Sequence, residues 1–256
     1  MIRKEQDNIQ WLEFELFAQF PEVVHGVFLR HGGYSDGPYG SLNISVQGGD
    51  DPQAVEKNRQ ALADCLGCSS YMLPILEHGK RVVELTSAHD ERPTADGVIT
   101  REQGVGLLIS HADCQAAVFY DPIEKVLANV HAGWRGNVQN IYGETVKQMR
   151  ERHGCLPTNI HVGISPSLCP ETSEFVNYRT ELPESFWEYQ EKPDHFNLWE
   201  ISRSQLEEAG IPSSQIEIAR ISTYCNPRDY FSFRRDKVTG RHGTLAYLKG
   251  VSKQTP

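Results

Sequence analysis

Apolar residues along the chain fall into short runs separated by polar, glycine-containing turns, and this pattern predicts a mixture of strands and helices. Runs that are apolar, or that alternate with a period of two, predict strands over residues 25–32, 81–87, 105–110, 116–121, 125–130, 159–165, 217–222 and 230–235. Stretches in which apolar residues recur every three or four positions predict helices over residues 50–67, 137–154 and 198–210.

The order of these elements indicates the fold class. Several predicted strands follow one another without an intervening helix, which differs from the regular alternation of a Rossmann fold or a barrel. No repeat or long linker divides the chain, and the stretch 178–197 is predicted to be a surface excursion. We therefore expect a single α+β domain over residues 1–256, in which mixed β-sheets are layered against flanking helices.

Composition and charge limit the function classes. The 256 residues are 39% hydrophobic and 23% charged, as in ordinary globular proteins, and the formal net charge is −9. A nucleic-acid-binding protein would show a basic excess or stripe, so we expect no nucleic-acid partner. A small anionic substrate is compatible with this charge, because a pocket needs only one or two well-placed arginines.

The ends of the chain and its cysteines bear on localisation. The polar start, MIRKEQDNIQ, lacks the apolar segment of a secretory signal, and no run approaches the ~20 apolar residues that span a bilayer. The six cysteines are too sparse for a disulfide scaffold. These features predict a cytoplasmic protein without a membrane partner, in which thiols are free for chemistry.

The segment HADCQAAVFYDPIEKVLANVHAGWRG, residues 111–136, carries the first candidate chemistry. Cys114 and His131 stand at the rims of two predicted strands joined by the turn DPIEK, so a hairpin would bring them together. Catalytic zinc is held by three protein ligands that leave one position open. The third ligand must come from elsewhere, and His78, His89 and His111 are the candidates.

Two glycine-rich segments are candidates for anion binding. In HAGWRG, Arg135 precedes a helix predicted to begin at Asn137, and amides at a helix start favour anions. In RHGGYSDGPYGSLNIS, Arg30 and Asn43 lie in a loop that could surround a phosphate. The alternative for each segment is a plain connecting turn with a surface arginine.

Taken together, an ordered set of motifs resembles the YfiH-like family, whose members have been called laccase-domain proteins, polyphenol oxidases and zinc-dependent purine nucleoside phosphorylases. The motifs cover about residues 25–248 and read, in order, FLRHGGYSDGPYGSLNIS, EHGKRVVEL, ADGVIT, HADC, HAGWRG, SPSLCPETSEF and TYCNPRDYFSFRRDKVTGR. Any one of them would be weak, whereas the ordered set is specific.

The resemblance implies a zinc site made by His78, Cys114 and His131, and a fold similar to the catalytic domain of cytotoxic necrotizing factor. It also implies small-molecule substrates, through phosphorolysis of adenosine, inosine, guanosine and methylthioadenosine, with adenosine deamination as a further activity. Asp113 is then the candidate acid/base or ligand-orienting residue. Phosphate is expected near Arg30, Asn43 and Arg135, which are the candidate substrate-binding residues.

The chain departs from the family pattern beside the metal. It has LEHG where Q-V-H-G is usual and HADC where T-A-D-C is usual. His111 therefore stands as a bystander, a hydrogen-bonding partner of the site or a fourth ligand. Nothing in the sequence indicates the preferred nucleoside or the oligomeric state.

Three other kinds of protein compete with the zinc-dependent phosphorylase that the resemblance implies. A multicopper oxidase needs clustered His-x-His ligands, and the chain has no such pair, so zinc is favoured over copper. The alternative enzyme is a cysteine hydrolase in peptidoglycan precursor editing, using Cys114 and His131 as a dyad. A structural zinc module is the non-enzymatic alternative, and it would require a closed site with four ligands.

Overall fold

The computed structural model describes residues 1–87 and 91–250. Its strands, in chain order, are β1 (Ile2–Gln6), β2 (Ile9–Glu13), β3 (Val23–Phe28), β4 (Ser70–Met72), β5 (Val82–Leu85), β6 (Gly97–Thr100), β7 (Val105–His111), β8 (Gln115–Asp121), β9 (Val126–Ala132), β10 (His161–Ile164), β11 (Gln190–Lys192), β12 (His195–Phe196), β13 (Ile216–Ile218) and β14 (His242–Leu248). The helices are α1 (Pro52–Cys65), α2 (Trp134–Val138), α3 (Ile141–His153), α4 (Tyr178–Glu181), α5 (Leu198–Glu208) and α6 (Phe233–Asp236).

Most of these strands form two six-stranded mixed sheets. The first has the order β1-β2-β3-β14-β7-β4 and the second the order β13-β10-β8-β9-β6-β5. Neighbouring strands are antiparallel except for β4 beside β7, and for β13 beside β10 and β5 beside β6, at the edges of the sheets. Strands β11 and β12 pair separately.

The alternation of side chains along the central strands shows that the two sheets pack face to face. In β8, Val118 and Tyr120 belong to a buried cluster that also contains Leu107 of the first sheet. The intervening Ala117 and Phe119 point to the opposite face and belong to a different cluster. Both faces of β8 are therefore buried, which explains why this segment reads as an uninterrupted apolar run.

Helices cover the outer faces of both sheets. Leu62 of α1 packs with Leu108 and Leu245 on the outside of the first sheet. On the second sheet, Val146 of α3 and Leu206 of α5 complete the outer cluster. The resulting order of layers is helix, sheet, sheet, helix, which confirms the predicted α+β layered architecture. Within the described ranges, no helix combines the length and the apolar character needed to cross a bilayer.

The helix predicted over 137–154 is in fact two helices. Asn140 interrupts it with a left-handed backbone (φ 55°), and its side-chain oxygen accepts a hydrogen bond from the Gly143 N–H at the start of α3. Asparagine tolerates this conformation better than most residues, and its short side chain is well suited to capping. The helices predicted over 50–67 and 198–210 are confirmed as α1 and α5.

Two further predictions need correction. Residues 233–236 form the short helix α6 rather than a strand, because Ser232 caps the turn by accepting the Arg235 N–H. The excursion at 178–197 is not purely superficial, since Leu182, Phe186 and Phe196 are buried in a small core of their own. The strand β14, which lies at the centre of the first sheet, was not predicted at all.

Candidate metal centre and adjoining cavities

Four strands of the second sheet bring the candidate ligands to one of its ends. His78 precedes β5, Cys114 directly precedes β8, and His131 lies near the end of β9. Because β9 runs antiparallel to both β6 and β8, its last residues lie beside the first residues of those strands, with His131 opposite Ala116. One ligand atom from each of His78, Cys114 and His131 lies within 4.8 Å of the others.

Asp96, a residue that the sequence analysis did not single out, orients this group. It is completely buried directly before β6, and its Oδ1 lies 3.0 Å from Nδ1 of His131. A carboxylate can only accept, so Nδ1 of His131 carries the hydrogen and Nε2 is left for a metal. Such a carboxylate partner fixes the tautomer and the ring orientation of a metal-binding histidine.

Asp96 also holds the loop that carries His78. Its two carboxylate oxygens accept the backbone N–H groups of His78 at 2.9 Å and Gly79 at 2.7 Å. His78 has a left-handed backbone (φ 60°), which is uncommon for a non-glycine residue and costs about 1–3 kcal/mol. Burial alone would raise the pKa of Asp96, but its hydrogen bonds, above all that from His131, lower the pKa below its usual value.

Cys114 and His131 stabilise each other in charged form. Burial disfavours both charges, yet the imidazolium of His131 lowers the pKa of Cys114 to about 6. The Cys114 thiolate, followed by Asp96, raises the pKa of His131 to about 9 against the same burial. A thiolate is the form of cysteine that binds metals and acts as a nucleophile. The pair is therefore suited to either role.

The donor set fits a zinc ion. Two imidazoles and one thiolate are ligands typical of zinc, and bonds of about 2.0–2.3 Å hold such donor atoms roughly 3.5 Å apart. The three atoms of this chain lie within 4.8 Å of one another, so small shifts of the side chains would bring them to that spacing. Among the described residues the group has three members, which leaves room for a substrate or water as in catalytic zinc sites.

Two glycines of HAGWRG permit close approach to this centre. A Cβ at position 133 would lie 3.2 Å from Sγ of Cys114 and 3.3 Å from Cδ2 of His78, and one at position 136 would lie 3.1 Å from the Gly79 carbonyl oxygen. Helix α2 begins at Trp134 and not at Asn137 as predicted, and it has five residues, so Arg135 lies within its first turn. These glycines serve packing against the ligands.

Replacing Gly133 with Ala should weaken metal binding while leaving the fold intact. The backbone at Gly133 is ordinary (φ −77°), so the added methyl causes no strain except by pushing against the two ligands. We expect metal affinity to fall by about tenfold, as for other disturbances next to a metal site. Competition with a chromogenic chelator measures it. Gly40→Ala, whose Cβ would meet nothing closer than 3.4 Å, is the control and should bind metal normally.

Two cavities adjoin the metal-binding group, one lined by His78 and the other by Cys114. The first is an open cleft of about 680 Å³, in which the three cations Lys80, Arg81 and Arg135 outnumber the two carboxylates Glu77 and Glu144. No carboxylate of the described residues lies within 4 Å of the charged groups of these three cations. The guanidinium of Arg135 stacks on the Trp134 ring, with its central carbon 4.3 Å from the ring centroid.

The second cavity, which is lined by Cys114, is a narrow pocket of about 60 Å³ with a mainly apolar wall. Trp134 and Phe175, whose ring centroids are 5.9 Å apart, supply its aromatic surface. The remaining lining includes Leu168 and Leu198, with Arg234 at its rim. The edge of a flat apolar group could therefore lie next to the metal-binding group.

The predicted acid/base candidate, Asp113, is already occupied by hydrogen bonds. Its Oδ1 accepts the Thr223 hydroxyl at 2.7 Å and its Oδ2 accepts the Arg234 backbone N–H at 2.6 Å. Its backbone is left-handed (φ 79°), which turns the chain into β8 directly before Cys114. The geometry therefore favours the orienting role of Asp113 over proton transfer.

Two of the predicted phosphate ligands lie apart from both cavities. The Arg30 guanidinium donates to the carbonyl oxygens of Gly40 and Pro227 and stacks over Phe231. Asn43 is completely buried, and its amide is engaged by neighbouring loop residues and by the backbone of Arg241. Neither side chain lines the two cavities. Both stabilise loops, and Arg135 is the predicted residue that reaches the site.

The structure also distinguishes His78 from His111 as the third member of the ligand group. His111 is buried in the first sheet, where its Nε2 lies 2.8 Å from the Thr244 hydroxyl, and it is not part of the ligand group. Burial, followed by the nearby His242, lowers the pKa of His111 well below its usual value, so it is neutral at pH 7. His89 lies outside the described residues. The third member is therefore His78.

Comparison with known proteins gives the family. The family model described as "Multi-copper polyphenol oxidoreductase laccase" matches residues 24–249. "Purine nucleoside phosphorylase YlmD" of Bacillus subtilis is 32% identical over 91% of this chain and 90% of its own. "Purine nucleoside phosphorylase YfiH" of Escherichia coli is 30% identical over 86% of this chain and 91% of its own. The chain belongs to the YfiH/YlmD family.

A solved structure supports the same conclusion. YlmD from Geobacillus stearothermophilus superposes with a TM-score of 0.86 at 30% identity, covering 96% of this chain and 98% of that one. The YfiH/YlmD family thus confirms the resemblance carried by the ordered motifs, and its known fold agrees with the mixed sheets and flanking helices described above.

Proposed function

We propose that this protein is a zinc-dependent purine nucleoside phosphorylase. The observation that carries the proposal is the His78–Cys114–His131 group, which is oriented by Asp96 and lines both a cationic cleft and an aromatic pocket. Relatives similar over most of the chain bear the name purine nucleoside phosphorylase. Phosphorolysis requires one site for phosphate and one for the base next to the bond that breaks, and the two cavities beside the ligand group are the candidates for them.

Phosphate would bind in the cationic cleft. Lys80, Arg81 and Arg135 present positive charge there without a carboxylate partner among the described residues. Positive side chains in a cleft raise the local concentration of an anion and orient it by charge-assisted hydrogen bonds. The predicted phosphate role of Arg135 is retained in this proposal, and Lys80 and Arg81 are added to it.

One edge of the purine base would enter the aromatic pocket, whose volume of about 60 Å³ is smaller than a whole purine. Trp134 and Phe175 offer ring surfaces on which a base can stack, an interaction worth about 1–3 kcal/mol per base in nucleic-acid-binding proteins. The ribose would then lie beside the ligand group, between base and phosphate. Holding two reactants in line in this way supplies much of the catalysis in a displacement reaction.

A zinc ion would supply Lewis acidity at this point between the two cavities. Residues of the chain orient the ligands and shape the pocket. Asp96 keeps Nε2 of His131 directed at the site, and Asp113 holds the residues that build the pocket wall around Cys114. The proposal of zinc rather than copper rests on the sequence, which has none of the His-x-His pairs that hold the copper ions of multicopper oxidases.

A nucleoside panel with and without phosphate tests the proposal. Purified protein of known zinc and copper content is incubated with adenosine, inosine, guanosine and methylthioadenosine, and the products are separated by chromatography. We expect free base and a sugar 1-phosphate that form only when phosphate is present. Release of base at the same rate without phosphate would contradict phosphorolysis. Inosine formed from adenosine in both conditions would assign deamination to the same site.

Reactivity of Cys114 separates this proposal from the cysteine hydrolase of peptidoglycan precursor editing. A bound metal occupies the thiolate, so iodoacetamide at pH 7 should spare Cys114 in the zinc-loaded protein. After removal of the metal with a chelator, Cys114 should react faster than the exposed Cys225, because its pKa of about 6 leaves it largely ionised at that pH. Mass spectrometry of labelled peptides measures both.

The opposite labelling pattern would favour the hydrolase. Rapid alkylation of Cys114 in protein that carries a full equivalent of zinc would show that its thiolate is free to act as a nucleophile. The exposed Cys225 serves as the internal reference for reagent access in each sample.

A further inference from the structure

Arg234 lies across the rim of the aromatic pocket beside Cys114. Its backbone N–H donates to Asp113 on one side of the pocket, at 2.6 Å. Its side-chain Nη1 donates to the Glu174 carbonyl oxygen on the other side, at 2.9 Å, next to the pocket residue Phe175. Both ends of the residue are thus fixed, and the guanidinium is held at the pocket mouth.

The guanidinium keeps unused hydrogen-bond donors. Its single hydrogen bond within residues 1–87 and 91–250 goes to the Glu174 carbonyl oxygen. No carboxylate of these residues lies within 4 Å of the guanidinium. The neighbouring Arg235 differs, since its side chain is bound to several carbonyl oxygens and to Asp236. A half-buried cation with free donors at an otherwise apolar pocket is suited to contact a ligand that accepts hydrogen bonds or carries negative charge.

We propose that Arg234 contacts the purine base and stabilises the negative charge that develops on it during phosphorolysis. This inference rests on the proposed function. In the reaction, an oxygen of hydrogen phosphate forms a bond to C1′ of the ribose while the bond from C1′ to N9 breaks. The electron pair of the broken bond moves into the purine ring. The proton of hydrogen phosphate ends on a base nitrogen through solvent.

A guanidinium suits this task because it stays charged and offers planar, paired donors. Purines present adjacent acceptors at N7 and, in 6-oxopurines, at O6, which an arginine can contact with two nitrogens. Donors placed where charge develops contribute more in the transition state than in the ground state. Removal of one such donor lowers kcat by about 100-fold to 1,000-fold in other enzymes.

The test compares inosine with 7-methylinosine in the zinc-loaded wild-type and Arg234→Gln proteins. The base of 7-methylinosine already carries a positive charge, so no net negative charge develops on it as the bond breaks. We expect Arg234→Gln to lower kcat/KM for inosine by about 100-fold or more. We expect its value for 7-methylinosine to stay within a factor of about three, with an unchanged KM for phosphate. Arg234→Lys, which keeps the charge, should recover part of the loss on inosine.

Two controls test whether the effect is specific to the Arg234 side chain. The backbone N–H of residue 234 survives in any of these variants, so Asp113 and the metal site should be unaffected, and equal zinc content verifies this. Arg203→Gln, on α5, removes a cation that pairs with Glu200 and Glu207 and should have wild-type kinetics.

The remaining outcomes would overturn either the role of Arg234 alone or the proposed function as a whole. An equal loss on both nucleosides, or a loss confined to the KM for phosphate, would overturn the role of Arg234 at the base while leaving phosphorolysis by the wild-type protein intact. A wild-type protein without phosphorolysis of either nucleoside would instead overturn the proposed function, and this inference with it.

Discussion

Cys114→Ala protein is expected to lose both its metal and its activity. The substitution removes the one thiolate of the ligand group and leaves two imidazoles, which is too few ligands for a retained zinc ion. Metal affinity should fall by more than about 100-fold, since even disturbing a ligand's supporting partner costs 10–100-fold. Metal analysis of the purified protein and phosphate-dependent release of base measure the two losses on one sample.

The control for this substitution is Cys65→Ala. Cys65 lies at the end of α1, outside the ligand group, and it has similar partial exposure. That variant should keep one equivalent of metal and full activity. Phosphorolysis at the wild-type rate by metal-free Cys114→Ala protein would disprove the metal-dependent mechanism, and a full complement of tightly held metal would disprove the ligand assignment.

Asp96→Asn protein is expected to bind metal about 10–100-fold more weakly and to be less stable without metal. Asparagine has nearly the same shape, but it replaces one acceptor oxygen with an NH₂ donor. That donor would face the N–H groups of His78, Gly79 and His131, which now share a single oxygen. A buried donor left unpaired costs about 1–3 kcal/mol. Chelator competition and thermal unfolding of the metal-free protein measure the two effects.

Asp121→Asn separates orientation from general destabilisation. Asp121 is also completely buried, and its Oδ1 accepts the backbone N–H groups of Ile123 and Glu124 at the far end of β8. We expect this variant to bind metal normally, because Oδ1 can still accept both N–H groups and the site lies far from the ligands. If both variants lost metal equally, the loss would come from the stability of the sheet, and the specific role of Asp96 would be wrong.

Local features of the sequence predicted a large part of this fold. The apolar runs of β8 and β9, joined by a short polar turn, required a hairpin that is buried on both faces. That hairpin alone places Cys114 and His131 together, because the two residues are close in the chain and the register of a short hairpin is set by its turn. Capping residues likewise determined where α1 begins.

Prediction failed where distant segments override local preference. The segment YFSFRR alternates as a strand does, yet it turns into α6, where Asp113 accepts the Arg234 N–H from a distant part of the chain. Asn43 and Arg30 carry suitable groups for an anion, yet the loop folds so that its own backbone uses those groups. In the first case a contact between distant segments adds to the local cap by Ser232, and in the second the fold of the whole loop decides which groups are used.

The sequence by itself thus determined the layered strands and helices, the hairpin of Cys114 and His131 and, through its ordered motifs, the choice of His78. Only the tertiary structure decided which carboxylate orients the ligands, what the glycines of HAGWRG accommodate and where Arg234 lies. The physical reason is the separation along the chain over which each interaction acts. Periodicity and capping act over a few residues, whereas Asp96 meets His131 across a sheet and Arg234 meets Asp113 across the fold.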